Sequence, residues 1–71
     1  MKKLLQTVEN IAKGCFKYKL KYSIYHNTKE IRVQVRNRED ENKIQYFIEK
    51  LQTDGLLVDR AWSEVLYIKN S

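Results

Sequence analysis

Between Phe16 and Arg36 the chain alternates, and that alternation limits its folds more than any other feature. Phe16, Tyr18, Leu20, Tyr22 and Ile24 take turns with Lys17, Lys19, Lys21, Ser23 and Tyr25. A period of two over ten residues is that of a strand with one face buried. Ile31, Val33 and Val35 repeat it, alternating with Arg32, Gln34 and Arg36. His26-Asn27-Thr28-Lys29 lies between and has the composition of a turn. The pattern predicts a β-hairpin with an oily face and a basic face.

The register follows from burial. With Asn27-Thr28 at the tip, Ile24 faces Ile31, Tyr22 faces Val33 and Leu20 faces Val35. On the other side Ser23 faces Arg32, Lys21 faces Gln34 and Lys19 faces Arg36. A slip of one residue would set every apolar side chain opposite a polar one. Thr28 is β-branched and a poor second residue for a tight type I′ turn, so a looser four-residue loop in the same register is the alternative.

The flanking segments read as helices. Over Lys2 to Lys13, Leu4, Leu5, Val8, Ile11 and Ala12 fall on one face, and Gly14 stands where a glycine ends a helix. Asn37 is placed to cap a second helix whose first turn carries Glu39, Asp40 and Glu41. Ile44, Phe47, Ile48 and Leu51 form its apolar stripe, and Thr53-Asp54-Gly55 ends it. Leu56 to Lys69 admits three readings: one strand bent by a bulge near Ser63-Glu64, two short strands joined by a turn, or a helix capped by Asp59. Its β-branched and aromatic residues favour strand. The expectation is one α+β domain over residues 1–71, a two-layer sandwich in the order α-β-β-α-β. Its small, mainly antiparallel sheet has strand order 2-1-3, and both helices lie on one face. No internal repeat is visible.

Charge is unevenly spread. The net charge is +5, but residues 1–38 carry ten Lys/Arg against two acids, while residues 39–71 carry four against seven. Such asymmetry points to a polyanion or an acidic protein as partner. A solvated lysine face that keeps the sheet soluble and blocks edge pairing is the competing explanation. No apolar run approaches the roughly 18 residues of a membrane span, and the single cysteine fits a reducing compartment. A cytoplasmic protein without membrane contact is expected.

The residues for catalysis or cofactors are sparse. Cys15 and His26 are the one candidate nucleophile–base pair. On a continuous strand they would lie roughly 36 Å apart, far beyond the contact such a dyad needs. One Cys and one His cannot complete a zinc tetrad, and Glu39-Asp40-Glu41 lacks the spacing of a calcium loop. Gly14 and Gly55 stand alone, so no phosphate-cradling loop is present. No catalytic residue, metal ligand or cofactor is assigned.

What remains is the basic face. Lys17, Lys19, Lys21, Arg32 and Arg36 are expected to project from adjacent strands about 4.8 Å apart, as a patch suited to phosphates. Phe16, Tyr18 and Tyr22 point inward, leaving Tyr25 and Tyr67 outside, an arrangement that favours backbone contact over base stacking. The function expected is a small non-enzymatic binding protein that contacts a nucleic-acid backbone. The alternative is a protein–protein interaction module, or a homodimeric accessory protein of bacterial or prophage kind, with Tyr25, Tyr67 and Trp62 as anchors. Of these, Trp62 is more readily a core residue.

Overall fold

A computed structural model describes residues 1–71. The order is α1 (Lys2–Cys15), β1 (Lys21–Tyr25), β2 (Glu30–Gln34), α2 (Glu41–Thr53), β3 (Leu56–Trp62) and β4 (Val65–Asn70). Two helices and a four-stranded antiparallel sheet form an α+β globule about 30 × 20 × 19 Å. No helix is long and apolar enough to cross a membrane.

The first hairpin has the register that burial demands. Ile24 pairs with Ile31, Tyr22 with Val33, Ser23 with Arg32 and Lys21 with Gln34. The ladder is shorter than the alternation, however. Residues 16–20 keep the burial rhythm, with Phe16 and Leu20 buried and Lys17 and Lys19 exposed, but belong to no strand. The rungs Leu20–Val35 and Lys19–Arg36 therefore do not form. On the β1 side Arg36 N–H donates to the Tyr18 hydroxyl at 3.1 Å, while on the β4 side Val35 N–H donates to the Glu64 carbonyl at 3.0 Å and prolongs that ladder.

Two helix boundaries also move. Gly14 is helical and α1 runs on to Cys15, closing where Phe16 turns extended. Asn37 is not the cap of α2. Asp40 is, its carboxylate accepting from Asn42 N–H at 2.9 Å. Gly55, at φ +84°, does end that helix, in a conformation that side-chain-bearing residues rarely adopt.

The expected strand order 2-1-3 is wrong, because residues 56–70 are a hairpin and not one strand. The order is β1-β2-β4-β3, so β1 is an edge and β2 and β4 are central. The slot beside β2 goes to β4, whose Leu66 and Ile68 are buried against Val33 and Ile31. β3, with Leu57 and Asp59 exposed and a register shift between Arg60 and Trp62, is left at the far edge. Charged residues and bulges at an edge discourage further pairing.

The chain thus contains a repeat that its sequence hides. Helix and hairpin occur twice, as α1-β1-β2 and α2-β3-β4. Laying one unit on the other carries Tyr22–Val33 onto Val58–Ile68, and Ile24–Ile31 onto Arg60–Leu66. The central rung Ile31–Ile68 maps onto Leu66–Val33, as two-fold symmetry about the β2–β4 seam requires.

One apolar cluster takes Leu4, Val8 and Ala12 from α1, and Ile44, Phe47 and Leu51 from α2. The sheet adds Ile31, Val33, Leu66 and Ile68. All fifteen buried residues are apolar, so the core cluster is held chiefly by packing. Amide exchange should be slowest in β2 and β4 and faster in β1 and β3. Leu66→Ala should cost about 2–5 kcal/mol by chemical denaturation. Leu57→Ala, at a position 50% exposed, should cost within about 0.5 kcal/mol.

Candidate nucleic-acid interface

Residues opposite one another across a ladder share a face of the sheet. Lys21, Ser23 and Tyr25 of β1 therefore lie on one side with Glu30, Arg32 and Gln34 of β2 and with Tyr67 of β4. Asp59, opposite Tyr67, joins them from β3. The core residues Ile31, Val33, Leu66 and Ile68 occupy the other side. The face away from the core is thus mixed, with two carboxylates and two tyrosines, rather than uniformly basic as the alternation implied.

The five basic residues divide accordingly. Lys21 and Arg32 are on this face as diagonal neighbours about 7–8 Å apart. Lys17 and Lys19 are not on the sheet, since residues 16–20 found no strand to pair with. They belong to the extended link between α1 and β1, and both are exposed. Arg36 follows β2. Even so, Lys19, Lys21 and Arg36 line one shallow depression with Gln34 and Asn37, so the link brings its lysine back to the sheet margin. Lys17 and Lys19 line a second groove with Lys13 of α1.

The pairing of these charges differs. The structure holds two ion pairs, Arg36–Glu39 and Arg60–Glu41. Lys17, Lys19, Lys21 and Arg32 are in neither pair, although Glu9 lines the groove that Lys17 and Lys19 share. Arg36 is more committed. Its Nε lies 3.1 Å from Glu39 Oε2, and its guanidinium stacks 5.1 Å from the centre of the Tyr18 ring. The Tyr18 hydroxyl donates to the same carboxylate at 2.7 Å. The Glu39 side chain is 1% exposed, whereas that of Arg36 is 63% exposed. Arg36 is therefore an oriented cation, anchored through one nitrogen.

These contacts set the local ionisation. The Tyr18 hydrogen bond, aided by Asp40 N–H, holds the Glu39 carboxyl below its ordinary range. Burial, followed by that same bond, pushes the Tyr18 phenol up. Arg60 and then Gln45 lower Glu41 to about 2. Burial takes Tyr22 up to about 12. Burial also raises the Cys15 thiol, which Lys50 partly offsets, so Cys15 is protonated at neutral pH. The continuous strand that would set Cys15 and His26 roughly 36 Å apart does not form, because β1 spans only Lys21–Tyr25.

Two aromatic features escaped sequence reasoning. Trp62, an anchor candidate but by sequence more readily a core residue, is 70% exposed at the β3–β4 turn. Tyr25 and Tyr67 come together, with ring centroids 6.0 Å apart. Alternation had put both on the outer side, but only the strand order could bring them near one another. No protein-family model matches this chain, and comparison with characterised proteins and with solved structures likewise finds no match.

The lowered carboxyls make stability depend on acid. A group whose folded pKa is depressed contributes fully above its unfolded value, here 4.5, and loses that contribution as pH falls through the folded pKa. Tm should therefore decline as pH is lowered from about 5 towards 2. Glu39→Gln should flatten part of that decline, as read by circular dichroism melts across the pH series.

Proposed function

We propose that this chain is a non-enzymatic binding protein that contacts a nucleic-acid backbone through Lys17, Lys19, Lys21, Arg32 and Arg36. In this reading both helices cover one face of the sheet as a two-layer sandwich. The opposite face and its β1 margin are the working surface. The observation that carries it is the grouping of Lys17, Lys19, Lys21 and Arg32 around β1, none of them in an ion pair, with the oriented Arg36 beside them. Unpaired cations on exposed backbone are what phosphate recognition uses, and such contacts need no sequence-specific geometry. Carboxylates elsewhere on the face, Glu30 and Asp59, would steer a polyanion towards this margin. A cytoplasmic location, suggested by the one free cysteine, belongs to the same proposal.

A second reading has its own support. Ile24, Leu57 and Trp62 are exposed apolar residues on or beside the two unpaired edges of the sheet. A protein partner or a second copy that extended the sheet at either edge would cover them. Light scattering at micromolar concentration separates self-association from a monomer.

Salt titration tests the first reading. Neutralising five phosphates releases counterions, so the log–log slope of affinity against salt should be about −4 to −5 on duplex DNA, or about −3.5 on a single strand. Lys19→Glu with Lys21→Glu should weaken binding to all sequences alike and make that slope shallower. Both sites are exposed, so folding should be retained. A wild type that binds neither single- nor double-stranded DNA or RNA at low salt would refute the reading.

A further inference from the structure

We propose that the preferred ligand is a single-stranded nucleic acid, with an unpaired base stacked on the Tyr25–Tyr67 pair. The inference rests on the nucleic-acid reading above and adds the strandedness of the ligand. Tyr25 is on β1 and Tyr67 on β4, and the whole of β2 lies between those strands. Their rings nevertheless meet, with planes 32° apart, so they lean towards one another over the intervening strand. Tyr25 is 43% exposed. The pair borders a shallow depression at the hairpin end, lined also by His26, Asn27 and Thr28.

Charge and aromatic surface are arranged in sequence across the face. Lys19, Lys21 and Arg36 stand at one end, and Lys21 is about 13 Å along β1 from Tyr25. Arg32, with no carboxylate partner, lies between these ends and directly opposite Tyr67. Glu30 is opposite Tyr25 and shares a depression with Asp59, Tyr67 and Lys69, so this end lacks the excess of positive charge found where Lys19, Lys21 and Arg36 meet. A nucleotide strand meets both demands, with phosphates on the cations and a base on the rings. In a duplex each base has both faces covered by its neighbours, so only an unpaired base can use the platform.

The test compares three labelled probes by fluorescence anisotropy at low salt: oligothymidylate of about 12 nucleotides, an abasic strand of the same length, and a duplex. The wild type should bind oligothymidylate roughly 5- to 100-fold more tightly than the abasic strand. Tyr25→Ala with Tyr67→Ala should erase that margin and leave the salt slope unchanged. The corresponding double Phe variant should keep the margin, because the ring face stacks and the hydroxyl does not. Equal binding of abasic strand and oligothymidylate by the wild type would overturn the inference while leaving the backbone reading intact, and needs no variant that might unfold. A folded double-Ala variant that keeps the margin would overturn it too. Absence of binding to every probe would overturn both.

Discussion

Everything in this fold depends on the seam between β2 and β4. Each helix–hairpin unit alone would expose its apolar sheet face, and an isolated two-stranded hairpin is marginal in water. Antiparallel pairing of β2 with β4 sets Ile31 against Ile68 and Val33 against Leu66, all essentially inaccessible to solvent. Those four residues share one apolar cluster with the stripes of α1 and α2. A chain this short buries only a modest fraction of its surface, so a single continuous core built from both units is what makes it stable.

The two units differ in chemistry while sharing one arrangement of helix and hairpin. The same inward position is Ile24 in the first hairpin and Arg60 in the second. Arg60 instead reaches across to Glu41 at the start of α2, with Nη2 2.8 Å from Oε1, and to the Ser63 carbonyl at 2.7 Å. It thereby ties the second helix to the second turn. The outward position held by Arg32 in the first unit is Tyr67 in the second. The near two-fold arrangement therefore brings a cation of one unit and an aromatic of the other side by side on the face away from the core.

A second tie orders the link after β2. Tyr18, Arg36 and Glu39 form a closed set of contacts in which the carboxylate is shielded while the guanidinium stays exposed. A shielded carboxylate is tolerable because it accepts from the phenol and from Asp40 N–H and faces a cation. The tie fixes where the chain leaves the sheet to begin α2, and it keeps Arg36 beside Lys19 and Lys21. Fold stability and the placement of the proposed phosphate contacts thus share the same side chains.

The sequence alone determined whatever is decided by neighbours along the chain. Alternation from Tyr22 to Val33 set the hairpin register, since any slip would bury lysine. The stripes Leu4-Val8-Ala12 and Ile44-Phe47-Leu51 marked the helices, and Gly55 marked an end. The solvent exposure of Lys17, Lys19 and Lys21 was legible for the same reason. Long-range competition decided the rest. On the β1 side Arg36 N–H goes to the Tyr18 hydroxyl rather than to Lys19, and β1 begins only at Lys21, which leaves Lys17 and Lys19 off the sheet. Asp40, not Asn37, caps α2, because Glu39 is drawn to Tyr18. Whether residues 56–70 were one strand or two depended on which arm had the apolar side chains to fill the slot beside β2. That choice put β4 in the centre, exposed Trp62, and brought Tyr67 within reach of Tyr25 across β2. No local pattern encodes such a meeting, because the two tyrosines become neighbours only through the strand that separates them.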